Sequence, residues 1–368
     1  MEATKTPTRD YPSFTSNQWD LWETMYGRRS SRKYLPMAVD KELGSRLETV
    51  NSLAVSVRQA APESLIIETG ADRAERIKRA ARRGMEGAIN LWMLRTPVSG
   101  FMIIIVPRDD ISADRCVLLP HAAMAAEDII LWLTEAGLGT CWLAGVNDRQ
   151  VRKAIGVSDE FAVPAIVSIG RPKERIKARD WDNLLYRRLS RHRKPISTIA
   201  SSETYGKPFK TGKLSEGRFP VSEIQDIEGL LRVLEAGTES RGELPLGTAI
   251  EACLEAARVA PSAGNQQKWH FVAVENEKRL GEVGSACGKS RPWRAAIVGA
   301  GYPGKLYAMV EKPFWMLDLP IAFSHISLMA ASMNIPCEVC VGGIDEQALN
   351  KLAGLPADLR TFGVIGLV

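Results

Sequence analysis

The chain has little with which to build a metal or nucleophile centre. Among its 368 residues only four are histidine, His121, His192, His270 and His325, and no two stand at ligand spacing. No Gly-x-Ser-x-Gly elbow is present, so the hydrolase signature of a strained nucleophile turn is missing. Six cysteines are scattered along the chain. They form no disulfide framework, and a reducing, cytoplasmic setting is expected. The one close pair, Cys337 and Cys340, has no second pair beside it; packing is the simpler reading than zinc or redox use. Long apolar runs are also lacking. The longest, such as residues 101–106, are strand-sized, too short for a membrane span. The first residues carry no apolar core of a secretory signal. Charge of one sign is scarce too. Lys and Arg total 48 against 43 Asp and Glu, a net of +5, which points to neither nucleic acid nor membrane as a partner.

What is present is ordinary globular composition, 45% apolar and 25% charged. The length suits two domains, and an internal repeat supplies them. Shifted by roughly 200 residues, GVNDRQVRKAIGV (145–157) lines up without a gap on GIDEQALNKLAGL (343–355). Each copy has an Asn or Asp suited to an N-cap, a short helix and a terminating glycine. The register continues into apolar strands at 162–169 and 362–367. Upstream, residues 122–136 and 320–333 are apolar all round, as central buried helices are. A duplicated domain mimicking a homodimer within one chain is the reading. Between the copies, residues 171–194 hold ten Lys or Arg and three acids, and 197–217 are rich in Ser, Thr, Lys and Gly. This segment reads as an extended, solvent-washed connector, followed by one amphipathic helix over 221–236.

Three motifs carry chemistry. RRSSRKY (28–34) crowds arginines and hydroxyls together; guanidinium forks suit a phosphate, although a solvated basic turn looks the same. APSAGNQQKWHF (260–271) follows a helix over 248–259. Its small residues admit a flat ring and its amides match a pyrimidine-type edge, although an ordinary helix-to-strand turn would use the same breakers. GLGTCWLAG (137–145) leaves the first central helix, where Gly137 suits a helix terminator and Gly145 a close backbone approach. A fourth pattern, Gly299-Ala-Gly301-Tyr-Pro-Gly304, matches G-x-G-x-x-G. It lacks the helix that a dinucleotide fingerprint opens and is read as a decoy.

Together the three motifs resemble the nitroreductase superfamily, over residues 20–180 and 236–368. The likeness is to a fused branch, in which the two subunits of an FMN-binding homodimer have become two repeats. It implies an α+β fold of tandem nitroreductase-like repeats, antiparallel-type sheets flanked by helices, forming an intrachain pseudo-dimer. The expected divisions are 20–180, a connector and helix over 181–235, and 236–368. Ordinary members place one subunit's arginine motif and glycine turn against the partner's Pro-Ser-x-x-Asn loop. The resemblance therefore implies FMN contacts from Arg28, Arg29, Ser30 and Arg32, from Leu143, Ala144 and Gly145, and from Pro261, Ser262, Ala263, Asn265 and Gln267. Arg175, with Lys177 beside it, is expected to close over the phosphate.

Departures from the family pattern limit the number of sites. The second repeat has no arginine motif; TESRGEL (238–244) stands there. The first has only Ala61-Pro62-Glu63-Ser64 in place of the amide-rich loop. One site and one lost mirror site are expected. Relatives often carry an acid before the glycine, where this chain has Ala144. The implied activity is FMN-dependent NAD(P)H oxidoreduction, hydride passing by a ping-pong scheme to a nitroaromatic, quinone or enone. No protein acid, base or metal ion is required. The alternatives are a flavin-dependent dehydrogenase of a biosynthetic intermediate and a non-enzymatic flavin-sequestering protein. The partner is a small molecule, and a fused pseudo-dimer needs no second chain.

Overall fold

In the computed structural model, the described residues are 20–173, 193–212, 224–237, 244–289, 293–304 and 312–368. They build two five-stranded sheets, one from each half of the chain. The first contains β1 (Tyr34–Leu35), β2 (Leu65–Glu68), β3 (Gly100–Ile104), β5 (Gly139–Leu143) and β7 (Ile166–Pro172); β4 (Val106–Pro107) and β6 (Phe161–Ala162) pair separately. The second contains β8 (Ala200–Ser202), β9 (Trp269–Val274), β10 (Ala295–Gly301), β11 (Cys337–Cys340) and β12 (Arg360–Leu367).

The repeat seen in the sequence is a repeat of topology. The order β5-β7-β3-β2 in the first sheet corresponds to β11-β12-β10-β9 in the second, all antiparallel. The helices Asp148–Ile155 and Glu346–Ala353 are capped by Asn147 and Asp345, and both end on a left-handed glycine, Gly156 or Gly354. Each sheet is covered on both faces, so its strands are apolar at successive positions. Met102 and Ile104 of β3 join the core between the halves, whereas Phe101 and Ile103 join the outer layer, the period-2 alternation of a pleated strand. In β9, Phe271 and Ala273 face the central core while Val272 and Val274 face outward to a separate cluster.

Two central helices, Leu118–Glu135 and Trp315–Ser332, pack against each other inside this core. Both begin earlier than the apolar pattern predicts. Pro120 lies in the first turn, where an amide is not needed, and Asp110 receives the amides of Val117, Leu118 and Leu119 at 2.7–3.0 Å. The Gly-rich decoy is explained by packing. Gly299 and Gly301 lie within β10, and a Cβ on Gly299 would stand 2.4 Å from Phe323 of the second central helix. Phe323 also meets Phe362 edge-on, with ring centroids 5.0 Å apart.

The connector departs from expectation. Ile196–Ile199 is a short helix, and Ala200–Ser202 adds to the second sheet as a strand parallel to β9. Ile196, Ile199, Ala200 and Phe209 are buried. Their apolar positions are spaced among Ser, Thr and Lys, which hides a core-docking segment inside polar composition. The later helix runs Ile227–Ala236, capped by Asp226, and does not include Ile224–Asp226.

Candidate functional site

The arginine motif begins where the helix Leu21–Gly27 ends. Beyond it the chain lies along β5. Ser31 N–H donates to Thr140 O at 2.8 Å, and Ser30 bridges Thr140. Gly139 permits this approach, because a Cβ there would stand 2.6 Å from Ser31 Oγ. Tyr34 OH anchors the far end on Ser31 O and Ser168 Oγ. Held this way, Arg28 turns inward and is 6% exposed. Its Nε makes no hydrogen bond; the Glu127 carboxylate lies 3.9 Å away. Burial pushes this guanidinium below its ordinary value. Arg29 stays exposed, donating to Tyr26 O and Arg28 O. Ser30 and Arg32 are half-buried, with Arg32 Nη1 3.4 Å from Ser30 O.

Glu127 sits fully buried on the first central helix. It accepts from Trp142 Nε1 at 2.8 Å and meets His325 Nε2 at 3.0 Å. In the gapless register Glu127 and His325 are equivalent positions of the two repeats.

The second piece follows the helix Leu246–Val259. Pro261 is buried, and Ala263–Asn265 makes a 3-10 turn with Gly264, Asn265 and Gln267 at φ of 57°, 55° and 50°. Three left-handed residues so close together need fixing from outside. Ser262 Oγ accepts from Gln267 N–H at 3.0 Å, and Ala263 N–H donates to Asp318 Oδ1 at 3.0 Å. Asp318 is buried at the start of the second central helix, and that burial pushes its carboxyl up to about 7.

The chain returning from the first half joins the two pieces. Arg193 donates to Asn265 Oδ1 at 2.7 Å, Ala260 O at 2.8 Å and Val259 O at 2.9 Å. Lys194 bonds both the side chain and the carbonyl of Gln267. Arg193 is pushed down to about 9, first by burial and then by the like charges of Arg28, Arg29 and Arg258. Tyr26, two residues before Arg28, donates to Glu255, which also pairs with Arg258 at 2.5 Å. Residues 28–29 and 258–265, far apart in sequence, are therefore neighbours.

The glycine turn packs against neighbouring segments of the chain. Leu143 is buried. Ala144 O accepts from Lys312 Nζ at 2.6 Å, and the same ammonium reaches Pro164 O at 2.7 Å. Burial pushes Lys312 down to about 8. Gly145 O accepts from Asn90, and a Cβ at Gly145 would stand 3.0 Å from Glu86 O and Ile89 Cγ2. The bareness of Gly145 thus serves a contact with the 3-10 segment Glu86–Arg95. Arg175 and Lys177 lie outside the described residues.

Sequence reasoning missed Arg193, Glu127, Asp318 and Lys312. Arg193 was hidden in a basic run. Glu127 and Asp128 carried a usable signal, two adjacent acids in an otherwise apolar helix, since buried charges persist only with partners.

The nitroreductase family profile matches residues 72–171 and 245–297, one segment in each half. A protein of Archaeoglobus fulgidus that carries the name NADH dehydrogenase/NAD(P)H nitroreductase is 32% identical over 124 residues, covering 32% of this chain and 70% of the relative. The chain belongs to the nitroreductase family. A second relative of the same name, from Methanothermobacter thermautotrophicus, is 28% identical over 132 residues, 32% of this chain and 63% of that protein. A crystal structure under the nitroreductase name, from Anabaena variabilis, superposes with a TM-score of 0.50 over 80% of this chain and 73% of its own, at 11% identity. That likeness speaks for the nitroreductase fold, and the family match spans both repeats.

Proposed function

We propose that the junction of the arginine motif and the loop at 260–267 holds one FMN, and that the protein is an FMN-dependent NAD(P)H oxidoreductase of the nitroreductase type. The observation that carries this reading is the gathering of Arg28, Arg29, Arg193 and Arg258. Like charges crowded at a partly buried site repel, and two carboxylates stand among the four guanidinium groups, Glu255 pairing with Arg258 and Glu127 lying 3.9 Å from Arg28. A phosphate dianion is the group such a cluster fits, with Arg28 Nε offering an unused donor. Arg28, Arg29, Ser30 and Arg32 would hold the phosphate and polyol chain, joined by Arg175. Pro261, Ser262, Ala263, Asn265 and Gln267 would line the ring from the second half, and Leu143, Ala144 and Gly145 its other edge.

When bound, FMN would supply the hydride chemistry between NADH or NADPH and a nitroaromatic, quinone or enone. The chain's own residues bind, orient and exclude water. The left-handed turn held by Asp318 and Ser262 fixes the loop before any ligand arrives, which is preorganisation. Small-molecule substrates and a self-sufficient single chain belong to this reading. So does a cytoplasmic setting, which suits six free cysteines.

A sequestering role is the second reading, favoured by the way Arg193 and Lys194 strap the loop. Anaerobic addition of NADPH or NADH to the purified yellow protein separates the two. Bleaching of the flavin absorbance is expected. Bound flavin that stays oxidised with both donors would overturn the reductase reading, and colourless protein that takes up no added FMN would overturn both.

A further inference from the structure

The segment between the arginine motif and the glycine turn presents an apolar face that no other described residue covers. Glu86–Arg95 is a 3-10 helix, in which residues three apart share a face. Gly87, Asn90 and Met93 point inward and are buried. Met85, Leu91 and Leu94 recur on the opposite face at 71%, 53% and 60% exposure, with Ile89 beside them at 58%. These four are half of the eight large apolar side chains exposed among the described residues. An isolated exposed leucine means nothing, but a clustered stripe does.

The stripe is bordered by cations. The preceding helix, Ala71–Ala80, packs its end against this segment, since Asn90 Nδ2 donates to Ala81 O and a Cβ at Gly87 would meet Arg82 backbone at 2.5 Å. Residues 71–95 hold seven Lys or Arg and three Asp or Glu, and Arg73, Arg76, Arg79, Arg83 and Arg95 are exposed. Apolar residues flanked by exposed arginines match an anionic lipid surface, with acyl chains meeting the stripe and headgroups meeting the guanidinium groups. A second copy of this chain matches poorly, because pairing two such faces would oppose two basic helices.

We infer that this face docks peripherally on anionic bilayers. No described helix is long and apolar enough to cross a membrane, so the contact is one of surface only. The docked segment also touches two of the motifs, since Asn90 holds Gly145 O and Thr96 Oγ1 donates to Arg32 O. The inference itself does not rest on the flavin reading, and its test needs no turnover.

The test is flotation of the purified full chain with phosphatidylcholine vesicles, with and without phosphatidylglycerol. Binding to the anionic vesicles alone, released by raised salt, is expected. Leu91→Ser/Leu94→Ser and Arg79→Glu/Arg83→Glu should each lower the bound fraction about tenfold or more, while the circular dichroism and melting temperature of the protein stay unchanged. The salt release tests the wild type should a variant fail to fold. Failure of the wild type to float with anionic vesicles would overturn the inference. So would undiminished binding by a folded variant, or a concentration-dependent dimer that Leu91→Ser/Leu94→Ser abolishes.

Discussion

The two halves end the same helix in opposite ways. In the second half, Arg258 precedes Pro261, and the turn that follows lies among four arginines. In the first half, Arg58 caps the equivalent helix, just before the 3-10 turn Pro62–Ser64. Here the guanidinium is fully answered. Arg58 Nε and Nη2 donate to both oxygens of Asp128 at 2.6 and 2.9 Å, and Nη1 reaches Ser327 Oγ at 2.7 Å. Ser324 Oγ adds a further donor to Asp128 at 2.6 Å. One turn lies among four guanidinium groups and two carboxylates, Glu127 and Glu255, whereas its counterpart matches one guanidinium with one carboxylate. A duplicated chain needs to keep only one binding site. The other copy is then free to convert its buried charge into structure, and we propose that the turn of the first half has done so and holds no flavin. The counterpart of the arginine motif, residues 238–243, lies outside the described residues.

The largest expected effect tests the neutral side. Arg58→Ala should destabilise the protein by about 3–5 kcal/mol, because it leaves the Asp128 charge buried without its partner. Flavin affinity per folded molecule should not change. Urea unfolding and a flavin titration measure the two separately, and a loss below about 1 kcal/mol would mean that Arg58 is not the closure of the mirror site.

Next comes the residue that steadies each turn from a central helix. His121 Nδ1 sits 2.6 Å from Arg58 O on the neutral side, and Asp318 accepts from Ala263 N–H on the cationic side. Burial raises the Asp318 carboxyl from 3.8 to about 7. Between those values the unfolded chain has released its proton and the folded chain has not, so stability falls as pH rises from about 4 to 7. Asp318→Asn keeps an acceptor for Ala263 and cannot ionise. It should remove a decline on the order of 2–4 kcal/mol from the pH profile of unfolding, and an unchanged slope would place the titration elsewhere.

On the cationic side, Arg28→Ala should weaken FMN binding roughly 10- to 100-fold, the worth of a charge-assisted hydrogen bond to phosphate. Arg193→Met should also weaken it, yet raise the melting temperature of flavin-free protein by relieving repulsion. That opposite sign is the sharpest contrast with Arg58. A fall in flavin-free stability for Arg193→Met would show that its bonds to Asn265 and Ala260 matter more than crowding.

The repeat, the two buried central helices and the apolar strands were legible because each rests on local periodicity or on a cap such as Asn147 and Asp345. The juxtaposition of the arginine motif with the loop at 260–267 was legible only through the family resemblance. What straps the loop in place was not. Arg193 and Lys194 look like solvated charges in a basic run, and only the path of the returning strand Ala200–Ser202 brings them to Asn265 and Gln267. Gly145 showed the converse limit. A glycine marks a close approach without naming the neighbour, and the chain at Glu86 is one neighbour of Gly145.

The smallest effect concerns the two edge strands. Gly139 begins β5 with Ser31 pressed against it, and the aligned position at the start of β11 is Cys337, half-buried. A Cβ at 139 forces Ser31 back, so Gly139→Ala should cost about 1–3 kcal/mol as overpacking and displace the arginine motif, which an FMN titration would register as weaker binding. Cys337→Ala removes one sulfur from a half-buried site and should cost about 1 kcal/mol or less, with flavin affinity untouched. Equal effects on flavin from the two substitutions would mean that both edges still serve a ligand, and two flavins per chain by absorbance would then be the result to look for.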